Sequence, residues 1–253
     1  MIVFRYDKTF DGLLTAVFDA YSRKVFPDKL LGTEDIEPLF TTEVYTVTTQ
    51  EDRAVRVWNS LQKKLSRIGC NMMTHVWLSE VAGSDELLFR YIRKTFDNKH
   101  SIEMNFADPD VLEMNQLAKK VSREREHIMQ FVRFQKAADD IFFAPISPIY
   151  NALPLAINYF KDRFADQKWI VYDVKRDYGY YYDLKTVTEM TLDTGNNFSD
   201  GKLDEKLMAE DEKLFQDLWK AYFKSMTIKE RINLKLQRQH MPRRFWKYLT
   251  EKQ

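Results

Sequence analysis

The apolar residues of this chain change period near residue 129, and that change constrains the fold more than any other feature of the sequence. From 50 to 128 they recur at three-to-four spacing, the pattern of helices that bury one face. Ala54, Val57, Trp58, Leu61, Leu65 and Ile68 form one stripe on a helix expected over 50–67, with Thr49 and Asp52 in a capping pattern at its start. Its other side carries Arg53, Arg56, Lys63, Lys64 and Arg67, which reads as a solvated face or as a phosphate-tracking one. Further helices are expected over 71–81, from Ser84 with Leu87, Leu88, Tyr91, Ile92 and Phe96 inward, and from Asp108 and Pro109 through Val111, Met114, Leu117, Val121 and Ile128. Ahead of this helical block, 2–6 reads as a strand, 9–23 as a helix and 41–49 as a strand or extended arm.

Downstream the pattern is that of strands. Residues 131–135 and 141–146 are expected to pair across a polar turn at 137–140, and 151–164 to form a helix with Pro154 in its first turn. Three β-rich runs, 169–174, 178–182 and 186–191, then read as an antiparallel meander. The order strand, strand, helix, strand, strand, strand points to an α+β fold built on an antiparallel sheet. Gly195, Asn196, Asn197 and Gly201 mark 193–204 as a linker to C-terminal helices, the first expected over 207–223. The expected organisation is a single compact unit, 1–253, containing a helical block at 50–128, an antiparallel sheet core at 129–192 and a helical basic segment at 205–253. With 18 Phe, 13 Tyr and 5 Trp against 7 Gly and 7 Pro, apolar bulk is ample and chain breakers are scarce, which excludes disordered and collagen-like classes.

A formal charge of +1 hides an asymmetry. Residues 1–220 hold 30 basic and 36 acidic groups, and 221–253 hold 9 basic and 2 acidic. A terminal segment of that sign concentrates polyanions, nucleic acid first among them. The alternative is internal pairing with the stretch 193–217, which has eight acidic and three basic residues. A single cysteine, Cys70, allows no internal disulfide and fits a reducing compartment. The start lacks a basic-then-apolar leader and no run of eighteen uncharged apolar residues occurs, so a cytoplasmic protein without a membrane span is expected.

Catalytic signatures are sparse. The stretch 195–203 fails as a phosphate loop by one surplus residue and a missing hydroxyl, and as a calcium loop because Phe198 and Leu207 fall at ligand positions. Asn197-Phe198-Ser199 matches a glycosylation sequon, which in a cytosolic chain is a polar loop. His75, His100, His127 and His240 are too far apart in sequence to form a local metal site. Asp173 and Lys175, two apart on an expected strand, would share a sheet face in the carboxylate-x-lysine arrangement of metal-dependent nucleases. The same hairpin carries Tyr172, Arg176, Asp177, Tyr178, Tyr180, Tyr181 and Tyr182, where rings would stack on bases and Arg176 would meet phosphate, Tyr180 being the platform candidate. Its alternative is an ordinary tyrosine-rich strand. In the tail, Arg238, Arg243, Arg244 and Lys247 interleaved with Phe245 and Trp246 are the main phosphate-contact candidates. The other reading of that segment is a short helix buried through Phe245, Trp246 and Leu249.

The stretches 6–18, 56–58, 108–111, 131–134, 151–155, 163–169 and 238–247, the last reading Arg238-Gln-His-Met-Pro-Arg-Arg-Phe-Trp-Lys247, together resemble a bacterial family of DNA-metabolism proteins of unknown function. Members of that family occur as single chains encoded beside a radical-SAM protein of DNA-repair type, or fused ahead of a uracil-DNA-glycosylase-like domain. The resemblance implies a role beside such enzymes and supplies no catalytic residues. Tyr150 and Tyr172 stand where some relatives carry histidine, and Lys175 where they carry arginine. Three readings follow. The first is a DNA-binding accessory protein without a cofactor, partnered by a radical-SAM or glycosylase-like enzyme. The second is a metal-dependent nuclease or nucleotide-processing enzyme using Asp173 and Lys175. The third is a protein-interaction module whose tail meets an acidic partner.

Overall fold

Residues 1–192, 198–199, 202–203 and 208–252 are described in a computed structural model of the chain. They divide into two compact units, Met1–Ser122 and Arg123–Gln253.

In the first unit, strand β1 (Ile2–Tyr6) lies between β2 (Lys29–Gly32) and β3 (Glu43–Thr46), and both pair with it in parallel. Parallel neighbours need a crossover, which helix α1 (Phe10–Arg23) supplies between β1 and β2. Thr9 starts α1 by accepting from the Gly12 amide at 2.9 Å, and Lys24 ends it in the left-handed region at φ 57°. Helices α2 (Glu51–Lys64), α3 (Arg67–Trp77), α4 (Ser84–Asp97) and α5 (Pro109–Phe131) follow. Phe4, Tyr6, Leu13, Leu14, Leu61, Met73, Leu87, Leu88 and Tyr91 are fully buried in one core.

Several expectations about helix ends are corrected here. The helix expected over 50–67 breaks at Leu65, because Ser66 caps a new helix by accepting from the Gly69 amide at 3.1 Å. Ile68 therefore points outward, at 81% exposure. Thr49 does not cap α2, since its hydroxyl donates to Asp7 Oδ2 at 2.7 Å. The cap of α4 is Gly83, at φ 80°, rather than Ser84. Asp108 does serve α5, accepting from the Asp110 amide at 2.9 Å and from Lys94 Nζ at 2.7 Å.

In the second unit α5 runs on to Phe131, so the strand expected over 131–135 shrinks to β4 (Gln135–Lys136). β4 pairs antiparallel with β5 (Phe142–Ile146) around a turn with Asp140 at φ 60°. Helix α6 (Leu153–Arg163) then returns the chain to the end of the sheet where β5 began, so β6 (Trp169–Asp173) pairs with β5 in parallel. That pair corrects the antiparallel expectation, and the sheet β4-β5-β6-β7-β8 is mixed. The meander of β6, β7 (Tyr178–Tyr182) and β8 (Val187–Met190) is antiparallel as expected. Trp169 is buried on the α6 side of the sheet, with Phe160 and Tyr182 rings 6.1 and 5.4 Å away. Phe143 and Tyr172 pack on the other side with Ile170, Leu192 and Met208.

The linker at 193–204, with the rejected phosphate and calcium loops, lies outside the described residues except for strands β9 (Phe198–Ser199) and β10 (Lys202–Leu203), which pair antiparallel. Helix α7 (Glu212–Met226) starts five residues later than expected and is tethered where Glu212 Oε2 accepts from the Lys136 amide at 2.9 Å. A 3-10 turn (Lys229–Arg231), helix α8 (Leu234–His240) and 3-10 turns Arg243–Tyr248 and Thr250–Lys252 complete the chain. Among the described residues no helix is long and apolar enough to cross a membrane.

Candidate nucleic-acid interface

Asp173 ends β6 fully buried, and its own backbone carbonyl starts the turn that follows. That carbonyl accepts from the Arg176 and Asp177 amides at 3.2 and 2.9 Å, with Asp177 in the left-handed region at φ 57°. Its carboxylate Oδ1 accepts from the Lys175 amide at 3.0 Å and Oδ2 from Arg176 Nη1 at 2.8 Å. Burial pushes the Asp173 carboxyl above the ordinary aspartate range, against the pull of the Arg176 guanidinium.

This geometry corrects the nuclease arrangement. Lys175 lies in the turn beyond β6, so it does not share a strand face with Asp173, and its Nζ donates to the Ile149 carbonyl at 3.4 Å. Both Asp173 oxygens are engaged by the protein's own donors. Among the described residues no three His, Cys, Asp or Glu side chains converge on one point.

Arg176 is likewise drawn inward. Besides Asp173 it donates to the Pro148 carbonyl at 3.2 Å and the Ile149 carbonyl at 3.1 Å, and its side chain is 11% exposed. The same segment is held on a second side, where the Ile149 amide donates to Glu124 Oε1 at 2.8 Å and Tyr178 donates its hydroxyl to Asn151 Oδ1. Glu124, also buried, pairs through Oε2 with Arg244 and faces His127 Nδ1 at 3.6 Å. Burial holds the His127 imidazole below the usual histidine range; Arg244 adds to this and Glu124 opposes it. Stacked 5.7 Å from Phe131 and edge-on to Phe245 at 5.6 Å, His127 is a packing residue of this network. The network gathers Asp173, Lys175, Arg176 and Arg244, but as clamps on residues 148–151. Arg176 and Arg244 are thus corrected from phosphate contacts to internal ties.

Tyr180 is half-buried. Its hydroxyl donates to Glu189 Oε2 at 3.2 Å and its ring lies 5.9 Å from that of Tyr178. Burial first, with Glu189 beside it, pushes its hydroxyl up to about 12, so it stays a proton donor at neutral pH. Tyr182 shares its face but is spent on Trp169, and Tyr181 points to the opposite face. The hairpin therefore offers one ring edge rather than a stacking platform.

The tail is arranged differently. Arg243 and Lys247 are exposed, while Phe245, Tyr248 and Leu249 between and beside them are buried. The Arg243 guanidinium lies 5.8 Å over the Trp246 ring, and the Trp246 indole donates to the Met241 carbonyl at 3.1 Å. Lys229, Arg231, Lys235 and Arg238 are exposed as well, with Glu230 the one carboxylate between residues 229 and 247. None of Lys229, Arg231, Lys235, Arg238 and Arg243 forms an ion pair among the described residues.

Sequence reasoning missed Glu124, Asn151 and Tyr178 as members of the network. Glu124 was detectable, since the helical stripe that buries Val121 and Ile128 runs through it, placing a carboxylate on an inward face. Asn151 carried no comparable signal, because its partner is set by the register of β7.

A solved structure to which the chain is similar is that of the "pGpG-specific phosphodiesterase - PggH from Vibrio cholrae", at 14% identity and a TM-score of 0.32, over 89% of this chain and 98% of that one. A likeness that low carries no argument about fold or activity. No curated protein matches the sequence. A family model does match, over residues 82–251, which takes in the clamp at 148–151, the β6–β7 hairpin and the basic tail. The chain belongs to the DUF4130 family, a domain of unknown function.

Proposed function

We propose that this protein is a nucleic-acid-binding accessory protein of DNA repair or modification, acting beside a radical-SAM or glycosylase-like enzyme. The observation that carries the reading is the run of exposed cations Lys229, Arg231, Lys235, Arg238, Arg243 and Lys247, opposed by a single carboxylate, Glu230. Exposed cations release counterions when they meet phosphates, the main source of affinity for nucleic acid. Trp246, with a guanidinium over its ring, adds a group able to meet a base.

The test is fluorescence anisotropy of labelled single- and double-stranded oligonucleotides with wild type and with Arg238→Glu, Arg243→Glu and Lys247→Glu combined. The reading expects affinity for at least one form and at least a tenfold loss in the triple variant. An unchanged affinity in that variant overturns it.

A second reading, the interaction module, is favoured by one observation. Helix α7 leaves Leu214, Phe215, Leu218, Tyr222 and Met226 more than half exposed along one face, an apolar surface of the kind that marks protein contacts. Under that reading the basic tail meets an acidic partner protein, and binding of oligonucleotides is absent at physiological salt.

A further inference from the structure

The first unit holds a cavity of about 500 Å³ between α1 and α2, within the size range of small-molecule sites. Its buried floor is Val17 and Val57, and its walls are the half-buried rings of Phe18, Tyr21 and Phe96. Those walls are set before any ligand arrives. The Tyr21 hydroxyl donates to Asp97 Oδ1 at 2.7 Å, and its ring stands edge-on to Phe96 at 5.8 Å and to Phe26 at 5.2 Å.

The polar groups at the rim come in two rows, each one helical turn long. On α1, Ser22 lies one turn beyond Phe18, and on α2, Ser60 lies one turn beyond Arg56. The neighbouring Arg53 is spent on Asp19 at 2.6 Å, whereas Arg56 forms no ion pair among the described residues. Its guanidinium rests 5.7 Å over the Phe18 ring, at the mouth of the cavity. A cation without a carboxylate at the edge of an aromatic slot calls for an anion attached to a planar ring. Ser22 and Ser60 also line the cavity, the Ser60 hydroxyl donating to the Arg56 carbonyl at 2.8 Å.

We propose that this cavity binds a nucleoside monophosphate, the base among Phe18, Tyr21 and Phe96 and the phosphate on Arg56. The site is built entirely from the first unit and stands independently of the tail. Arg56 is the specificity residue, because it alone separates a nucleotide from the uncharged nucleoside.

Isothermal titration calorimetry of the full chain with deoxyadenosine 5′-monophosphate, deoxyadenosine and 2-deoxyribose 5-phosphate tests this. The nucleotide is expected to bind at least tenfold tighter than the nucleoside, and the sugar phosphate not to bind. Arg56→Gln is expected to remove the difference between nucleotide and nucleoside while leaving the melting temperature unchanged, since Arg56 is exposed. Ser22→Trp, which fills the mouth from an exposed position, is expected to abolish both. A nucleotide that binds no tighter than the nucleoside, or an Arg56→Gln protein that keeps the preference, overturns the proposal. Binding that survives Arg56→Gln but is lost in the tail triple variant places the ligand on the tail and also overturns it.

Discussion

Replacing Arg176 by methionine tests the clamp on residues 148–151 directly, because it keeps the length of the side chain and removes its donors. The fully buried Asp173 carboxylate would lose a 2.8 Å charged partner and keep only backbone amide donors, that of Lys175 at 3.0 Å among them. The Pro148 carbonyl would lose its bond from Arg176 at the same time. Leaving one member of a buried ion pair without its partner costs about 3–5 kcal/mol, which for a chain of this size lowers the melting temperature by on the order of 10 °C. The sign of the pH dependence follows from Asp173. Its carboxyl already lies above the ordinary range in the folded state, and the substitution raises it further. The folded state then holds the proton better than the unfolded one, so the deficit is largest at neutral pH and shrinks as pH falls through the raised value. Asp173→Asn in the Arg176→Met background removes the orphaned charge and is expected to recover about 2 kcal/mol. Urea unfolding at several pH values measures wild type and both variants. A cost below about 1 kcal/mol at neutral pH, or a deficit that does not change with pH, would refute the clamp.

Other predictions address different parts of the fold. Gly179→Ala places a methyl group 2.6 Å from the Val171 carbonyl and 2.7 Å from the Tyr172 ring, so destabilisation by about 1–3 kcal/mol is expected in a urea titration. Trp169→Ala empties the centre of the ring cluster with Phe160 and Tyr182 and is expected to cost about 3–5 kcal/mol, read from the same titration. Acid unfolding of the first unit should involve Asp108, which its bond to Lys94 holds below the usual carboxylate range. A lowered folded value contributes stability that is present above the unfolded value and lost as pH falls through the folded one. Lys94→Met should therefore flatten the acid limb of a pH–stability curve, and an unchanged limb would contradict this.

Helices and their inward faces were legible in the sequence wherever apolar spacing was unbroken, as for Leu13 to Tyr21 and Val111 to Ile128. The break at Ser66 was not, because the apolar stripe runs across it and only the local competition of Ser66 for the Gly69 amide ends the helix. The meander of β6, β7 and β8 followed from alternating runs and short turns. The parallel pairing of β5 with β6 was implicit in the intervening helix, since a strand, a crossover and a strand in one sheet run the same way. At the candidate interface, residue type alone did not separate Arg243 from Arg244. One turns to solvent and the other to the buried Glu124, a carboxylate 120 residues away in sequence. Asp173 and Lys175 were separated for a related reason: Asp173 folds the turn back on itself, which takes Lys175 off the strand.

The central claim is that the exposed cations from Lys229 to Lys247 contact phosphates, and the salt dependence of oligonucleotide affinity measures it most directly. Six contacts give a log–log slope of about −4 for single strands and about −5 for duplex. Changing Arg238, Arg243 and Lys247 to Gln removes half of them and should reduce the slope by about 2–3, whereas Arg56→Gln should leave it unchanged. A wild-type slope near zero, or a slope unmoved by the three tail substitutions, would contradict the account.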